Sequence, residues 1–340
     1  MLGETKAPSS APTRRQDERG LLAALIGDGL PLLTLTALAL LFSGGFALFL
    51  TVTRQFLPHD IDFLQTSAAE LCAIADCRVT GFMLHDRAAF GGALIAIGVL
   101  YLWLVAFPLR AREPWAWWTV AVSGFLGFLS FLAYFGYGYL DTWHGTATLL
   151  LLPCFVLGLA RSYARLAFPR DPRRVIRNGA DESWTSTFGI GRILLLATAG
   201  GMIAGGATIL FIGMTTVFVP QDLAFMRVLP EQLHAINPRL VPLIAHDRAG
   251  FGGGILSTGL IVALCTWCGA PSRSLWEAFL IAGSAGFGCA IGVHLVVGYT
   301  DLLHLGPAVA GALLFAAGLI LTRRRMHGTA HPRSSPHANR

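Results

Sequence analysis

Hydrophobic residues run along this chain in eight blocks: Leu30–Thr53, Ala88–Leu109, Pro114–Leu140, Thr142–Ala160, Ile193–Pro220, Ala249–Ala270, Ala278–Thr300 and Leu305–Thr322. A surface helix interrupts its apolar stripe with polar residues at every turn, and these blocks do not. A helix crosses the hydrocarbon core with about 20 apolar residues, so each block predicts a membrane span. The fourth and eighth are short, and reach across when Asp141, His144, Asp301 and His304 lie at the membrane interface. Residues 1–20 are polar, and the first block is too long for a signal-peptide core and lacks a following cleavage pattern.

The polar punctuation repeats. Phe56-Leu57-Pro58-His59-Asp60 returns as Phe218-Val219-Pro220-Gln221-Asp222. His85-Asp86-Arg87-Ala88-Ala89-Phe90-Gly91-Gly92 returns as His246-Asp247-Arg248-Ala249-Gly250-Phe251-Gly252-Gly253. Gly138-Tyr139-Leu140-Asp141-Thr142-Trp143-His144 returns as Gly298-Tyr299-Thr300-Asp301-Leu302-Leu303-His304. The offsets are 162, 161 and 160, which is the signature of an internal duplication. Each copy holds an even number of spans, so both keep one orientation and relate by a pseudo-twofold axis along the membrane normal. The expected fold is therefore all-α and polytopic: eight transmembrane helices in two tandem four-helix bundles. The expected organisation is a tail over 1–20, a first repeat over 21–165, a basic linker over 166–185, a second repeat over 186–325 and a disordered tail over 326–340.

Composition agrees with this. Only 13% of the 340 residues are charged and 54% are hydrophobic, where soluble domains carry about 25% charged residues. The net charge of +6 is informative by position. Only six of the 25 basic residues, Arg54, Arg78, Arg87, Arg227, Arg239 and Arg248, fall on the face of the loops between spans one and two and between five and six. The positive-inside rule places the richer face, with both termini, in the cytoplasm of a plasma or inner membrane. The basic linker then faces anionic headgroups, and nucleic acid is not an expected partner.

All three repeated motifs lie on the outer face, with Glu70 and Glu231 as a fourth matched pair. Three readings compete for them. In the first they are structural: Asp86 and Asp247 cap their helices, Arg87 and Arg248 pair with Asp141 and Asp301, and the histidines bond across the bundle. In the second, His85, His144, His246 and His304 are axial haem ligands, with Asp86, Asp141, Asp247 and Asp301 orienting them from behind. In the third, the same histidines and the carboxylates of Asp60, Glu70, Asp86, Asp141, Asp222, Glu231, Asp247 and Asp301 hold a divalent metal or move protons, in a transporter or a metal-dependent enzyme. Without any ligand, the chain would be an assembly protein.

Small residues below each histidine (Ala89 and Gly92, Gly250 and Gly253) admit a close neighbour, which ordinary helix packing also supplies. Cys72 and Cys77 share an outer loop, where a structural disulfide is expected. Cys265-x-x-Cys268 reads as buried core cysteine. His294 matches Tyr134 of the first copy, a sign that the halves have diverged. His59 and His234 read as solvated loop residues.

Two four-helix copies with outer histidines at 85, 144, 246 and 304, and a cysteine pair in the first outer loop, resemble the haem A synthase family. Where that family carries Glu-x-x-His-Arg, this chain has Phe82 and places Asp86 between His85 and Arg87. The resemblance covers nearly the whole membrane region as architecture. It implies a b-type haem held by His246 and His304, a substrate haem facing His85 and His144, and an oxidoreductase or haem-handling role. A small-molecule substrate, a membrane redox partner and the lipid bilayer are the partners that go with it.

Overall fold

The computed structural model describes residues 20–131, 138–139, 142–166 and 175–328. Among these, every regular element is helical. In chain order they are α1 (Leu21–Ile26), α2 (Leu30–Thr53), α3 (Pro58–Leu64), α4 (Ala68–Cys72), a 3-10 turn at Ala75–Cys77, α5 (Arg78–Ala106), α6 (Pro114–Phe131) and α7 (Thr142–Tyr163). Then follow α8 (Thr187–Gly213), α9 (Pro220–Met226), α10 (Pro230–Ile236), α11 (Leu240–Cys268), α12 (Arg273–Val297) and α13 (Leu302–His327). Seven of them, α2, α5, α7, α8, α11, α12 and α13, are long and apolar enough to cross a membrane. This is the architecture of an all-α, multi-pass membrane protein. The expected span 114–140 appears as α6 over Pro114–Phe131; most of its remainder, with Tyr134, lies outside the described residues.

Two helix starts differ from the expected ones. The apolar block of the second span begins at Ala88, yet α5 begins at Arg78; the block of the sixth begins at Ala249, yet α11 begins at Leu240. Both His-Asp-Arg motifs therefore sit two turns inside a helix, and Asp86 and Asp247 do not cap. A hydrophobicity reading stops at polar residues because it supposes that they face lipid. Here they face other helices.

α5 and α11 form the centre. The most apolar windows of these two are 78% and 67% buried, against 17–22% for the other five. They pack on each other; α2 and α12 pack on α5, α8 and α6 pack on α11, and α13 packs on α8 and α12. The close approaches run through glycine. A Cβ on Gly91 would stand 2.9 Å from the Gly44 carbonyl oxygen, and one on Gly252 would stand 2.4 Å from the Leu210 nitrogen. A Cβ on Gly92 would meet Cys289 of α12 at 2.6 Å, and one on Gly253 would meet Ser130 of α6 at 2.3 Å. The Phe-Gly-Gly signature is thus a packing device that seats two neighbours on each central helix, the usual role of small residues between membrane helices.

At one end of the bundle, α3, α4, α9 and α10 fold over the central helices. Their apolar residues Phe56, Leu64, Leu71, Met226 and Leu233 join Phe82, Met83, Leu243, Tyr139 and Tyr299 in one buried cluster. Cys72 and Cys77 form a disulfide beside α4.

Candidate functional site

Each Pro-x-Asp motif builds a short helix with a self-contained first turn. Pro58 and Pro220 stand at the first helical position, where no amide hydrogen is needed. Asp60 and Asp222, at the third, accept from the amides of Leu57 (3.1 Å) and Val219 (2.8 Å). The Gly-Tyr motifs then bring a phenol to each carboxylate. Gly138 and Gly298 adopt positive φ (69° and 75°), conformations that favour glycine and let the chain reverse. Tyr139 donates to Asp60 at 2.6 Å and Tyr299 donates to Asp222 at 2.8 Å. Burial, together with the Asp222 carboxylate, pushes the Tyr299 phenol well above its ordinary range, so it remains a donor.

The arginines tie this scaffold together across the two halves. Arg87 Nη2 donates to Asp60 Oδ2 at 2.8 Å and lies 3.3 Å from Asp247 Oδ2. Arg248 forms two bonds to Asp222, donates to the Val217 carbonyl at 2.7 Å and stands 3.5 Å from Asp86 Oδ2. Each arginine therefore joins an aspartate of its own half to the His-Asp-Arg aspartate of the other. The expected pairing of Arg87 and Arg248 with Asp141 and Asp301 is replaced by this arrangement at Arg248 and Asp301. Asp301 instead caps α13, accepting from the amides of Leu303 and His304 at 3.0 Å. Asp141 lies outside the described residues.

The histidines cross over as well. His85 Nε2 is 3.0 Å from Nε2 of His294, on α12. His304, on α13, completes the group, and one ring nitrogen of each lies within 4.8 Å of those of the other two. His144 Nδ1 is 3.2 Å from His246 Nε2. The within-half pairs, His85 with His144 and His246 with His304, are not the ones in contact. The reason is that α5 packs on α12 of the other half, which carries His85 toward α12 and α13.

All three clustered imidazoles are anchored from behind. His85 Nδ1 faces Asp86 Oδ1 at 3.1 Å, His294 Nδ1 faces the Ala290 carbonyl at 2.5 Å, and His304 Nδ1 faces the Tyr299 hydroxyl at 3.2 Å. Tyr299 gives its own proton to Asp222, so it accepts from His304. Carboxylate and carbonyl oxygens also only accept. Each Nδ1 therefore carries its proton, and Nε2 of a neutral ring keeps its lone pair.

Four buried or nearly buried carboxylates, Asp60, Asp86, Asp222 and Asp247, surround two guanidinium groups here. The other matched acids stand apart. Glu70 is exposed and closes a capping box with Ser67, whose amide and hydroxyl hold the Glu70 carboxyl below its usual range. Glu231 is exposed in the first turn of α10. His59 is half-buried rather than solvated, 3.4 Å from Asp60, while His234 is exposed. Cys265 and Cys268 are both buried. His294 is the residue that sequence reading undervalued: it lies five positions before Tyr299, on the last turn of a span, and only the packing of α12 against α5 reveals its partners.

A cavity of about 610 Å³ opens directly beneath the three histidines, among α5, α8, α11, α12 and α13. No family model matches the chain, and no curated protein or solved structure matches it either.

Proposed function

We propose that the chain is an eight-span membrane protein, two four-helix repeats related by a pseudo-twofold axis, whose His85–His294–His304 cluster holds a divalent transition-metal ion. It would serve as a metal-dependent enzyme at the outer face of a plasma or inner membrane, with both termini in the cytoplasm.

One observation carries the reading. Three imidazoles, each with Nδ1 facing an acceptor, bring one ring nitrogen apiece to within 4.8 Å of the other two. At 3.0 Å, Nε2 of His85 and Nε2 of His294 need a cation between them, either a shared proton or a metal ion. Ligand nitrogens of a tetrahedral zinc ion, bound at about 2.0–2.1 Å, stand roughly 3.3 Å apart, close to this spacing. Carboxylate, carbonyl and phenol partners behind metal-bound histidines fix the tautomer in the same way. The four carboxyl groups around the two guanidinium groups favour a cation further. Three histidines with a fourth position open are the donor set of a catalytic site, where the ion supplies Lewis acidity or an activated water.

The test is metal analysis of protein purified without chelators. About one equivalent of zinc, iron or manganese is expected, absent from His294→Ala and bound roughly 10–100-fold more weakly by Asp86→Asn. Folded protein that neither carries nor binds a divalent ion overturns the proposal.

The cavity beside His304 favours a second reading, in which it holds a porphyrin and the chain is a haem-handling oxidoreductase with a membrane redox partner. A Soret band lost in His304→Ala would establish it.

A further inference from the structure

The cavity beneath the histidines has polar groups at one end only. His85, His294, His304, Arg248 and Gln221 line that end. The rest of the lining is apolar, mainly alanine, glycine, isoleucine and phenylalanine, with three threonines. Those threonines offer no free donor: Thr198, Thr208 and Thr258 each bond back to the carbonyl four residues earlier, at 2.8–2.9 Å.

Its depth follows from the helices that line it. The lining runs from His85 to Ala96 on α5, from Leu303 to Phe315 on α13 and from Phe279 to His294 on α12. Eleven to fifteen residues rise about 16–23 Å in a helix, more than half of the roughly 30 Å hydrocarbon core. The cavity is therefore at least as deep as one leaflet. Gly201 of α8 lines it and is exposed. Its volume falls in the range of about 300–1,000 Å³ that holds small-molecule ligands.

We propose that the cavity receives the hydrocarbon chain of a single-chain membrane amphiphile from the same leaflet, with an oxygen of its head at the three-histidine site. The head contact rests on the metal reading above; the place of the chain rests on the cavity alone. A chain moving from lipid into this cavity gains little hydrophobic energy, because lipid tails are as apolar as the lining. Selection therefore falls to the head, and the cavity sets which chain lengths bring that head to the histidines.

Two glycines make this testable. Both line the cavity, and a Cβ on Gly201 or Gly205 meets no atom within 4 Å, so a side chain can start there without a clash at Cβ. The full chain in lipid vesicles is irradiated with hexadecanoic acid carrying a terminal diazirine, with and without excess hexadecanoic acid. The adducts are then mapped by mass spectrometry. Saturable labelling is expected on the cavity-lining residues of α8 and α13, reduced at least tenfold in Gly205→Phe and in Gly201→Leu. Thermal unfolding of both variants identifies any that fails to fold, and the other then carries the test.

Saturable labelling that is absent, or unchanged in a folded filled variant, overturns the inference. So does a Soret band that Gly205→Phe removes, which assigns the cavity to a porphyrin. Metal content of the same samples separates the two proposals. Metal without saturable labelling sinks this one alone. Labelling without metal keeps the chain site and overturns the head contact together with the metal reading.

Discussion

Replacing Arg248 with methionine would keep most of the side-chain stem and remove the charge from the most heavily bonded cation of the site. Arg248, Asp222 and Asp86 are 4%, 0% and 1% exposed. The change leaves Asp222 with the Tyr299 hydroxyl and the Val219 amide but no cation. It leaves Asp86 with His85 alone and the Val217 carbonyl without its donor. Removing one partner of a buried ion pair costs about 3–5 kcal/mol, because the remaining charge stays buried. Two neutral donors persist at Asp222, so the lower part of that range, about 3 kcal/mol, is expected. At about 1.4 kcal/mol per tenfold, this is roughly a hundredfold in the unfolding equilibrium. Asp222→Asn alone is destabilising too, while adding it to Arg248→Met removes one of the two stranded charges. The double variant should be more stable than the sum of the singles by about 1–3 kcal/mol, the usual coupling of contacting residues. Equilibrium unfolding in mixed micelles with increasing dodecyl sulfate, followed by helical circular dichroism, measures all four proteins. Additive single effects, or an Arg248→Met protein as stable as the parent, would refute the reasoning.

Three further outcomes are expected. Alkylation without reduction should leave Cys72 and Cys77 unmodified, and Cys72→Ser with Cys77→Ser should cost about 2 kcal/mol for so short a loop, read as faster amide exchange over residues 66–80. Ser67 and Thr66 hold the Glu70 carboxyl below its ordinary value, so its capping contribution is full above that value and disappears as pH falls through the lowered one. Protection of the α4 amides, corrected for the intrinsic pH dependence of exchange, should therefore fall in acid, and Ser67→Ala should move that fall to higher pH. Asp62 and Asp181 are exposed on opposite ends of the bundle. An impermeant thiol reagent should label Asp62→Cys in intact cells and Asp181→Cys only after permeabilisation; equal labelling of both would contradict the proposed orientation.

Much of the molecule was legible as sequence. Apolar blocks too long and too uniform for a surface helix announced helices that can cross a membrane, because the hydrocarbon core sets a length and forbids unsatisfied backbone. The Pro-x-Asp motif was visible as a repeat, but the short helix it starts, with proline at the first position and a carboxylate at the third, showed only in the structure. The repeated motifs contained Asp60 and Asp222, Arg87 and Arg248, and Tyr139 and Tyr299, although the tyrosines had no role legible there. Helix starts were misplaced where buried polar residues continue a helix beyond its apolar block, as at Arg78 and Leu240. Glu70, Glu231 and Asp301 matched in sequence but lie outside the buried network, because capping and solvation also preserve an acid at a fixed place in a repeat.

The sequence by itself determined depth and inventory: which segments can enter a membrane, and that the histidines and carboxylates lie at one end of them. Only the tertiary structure decided neighbours. It turned His85 toward His294 and His304, turned His246 toward His144, and crossed both arginines between the halves. The physical reason is that a helix's own periodicity says what depth a side chain reaches, whereas its partner depends on which glycine-lined faces dock. Here the face of α5 at Gly92 accepts α12, a choice that no local feature of either helix encodes.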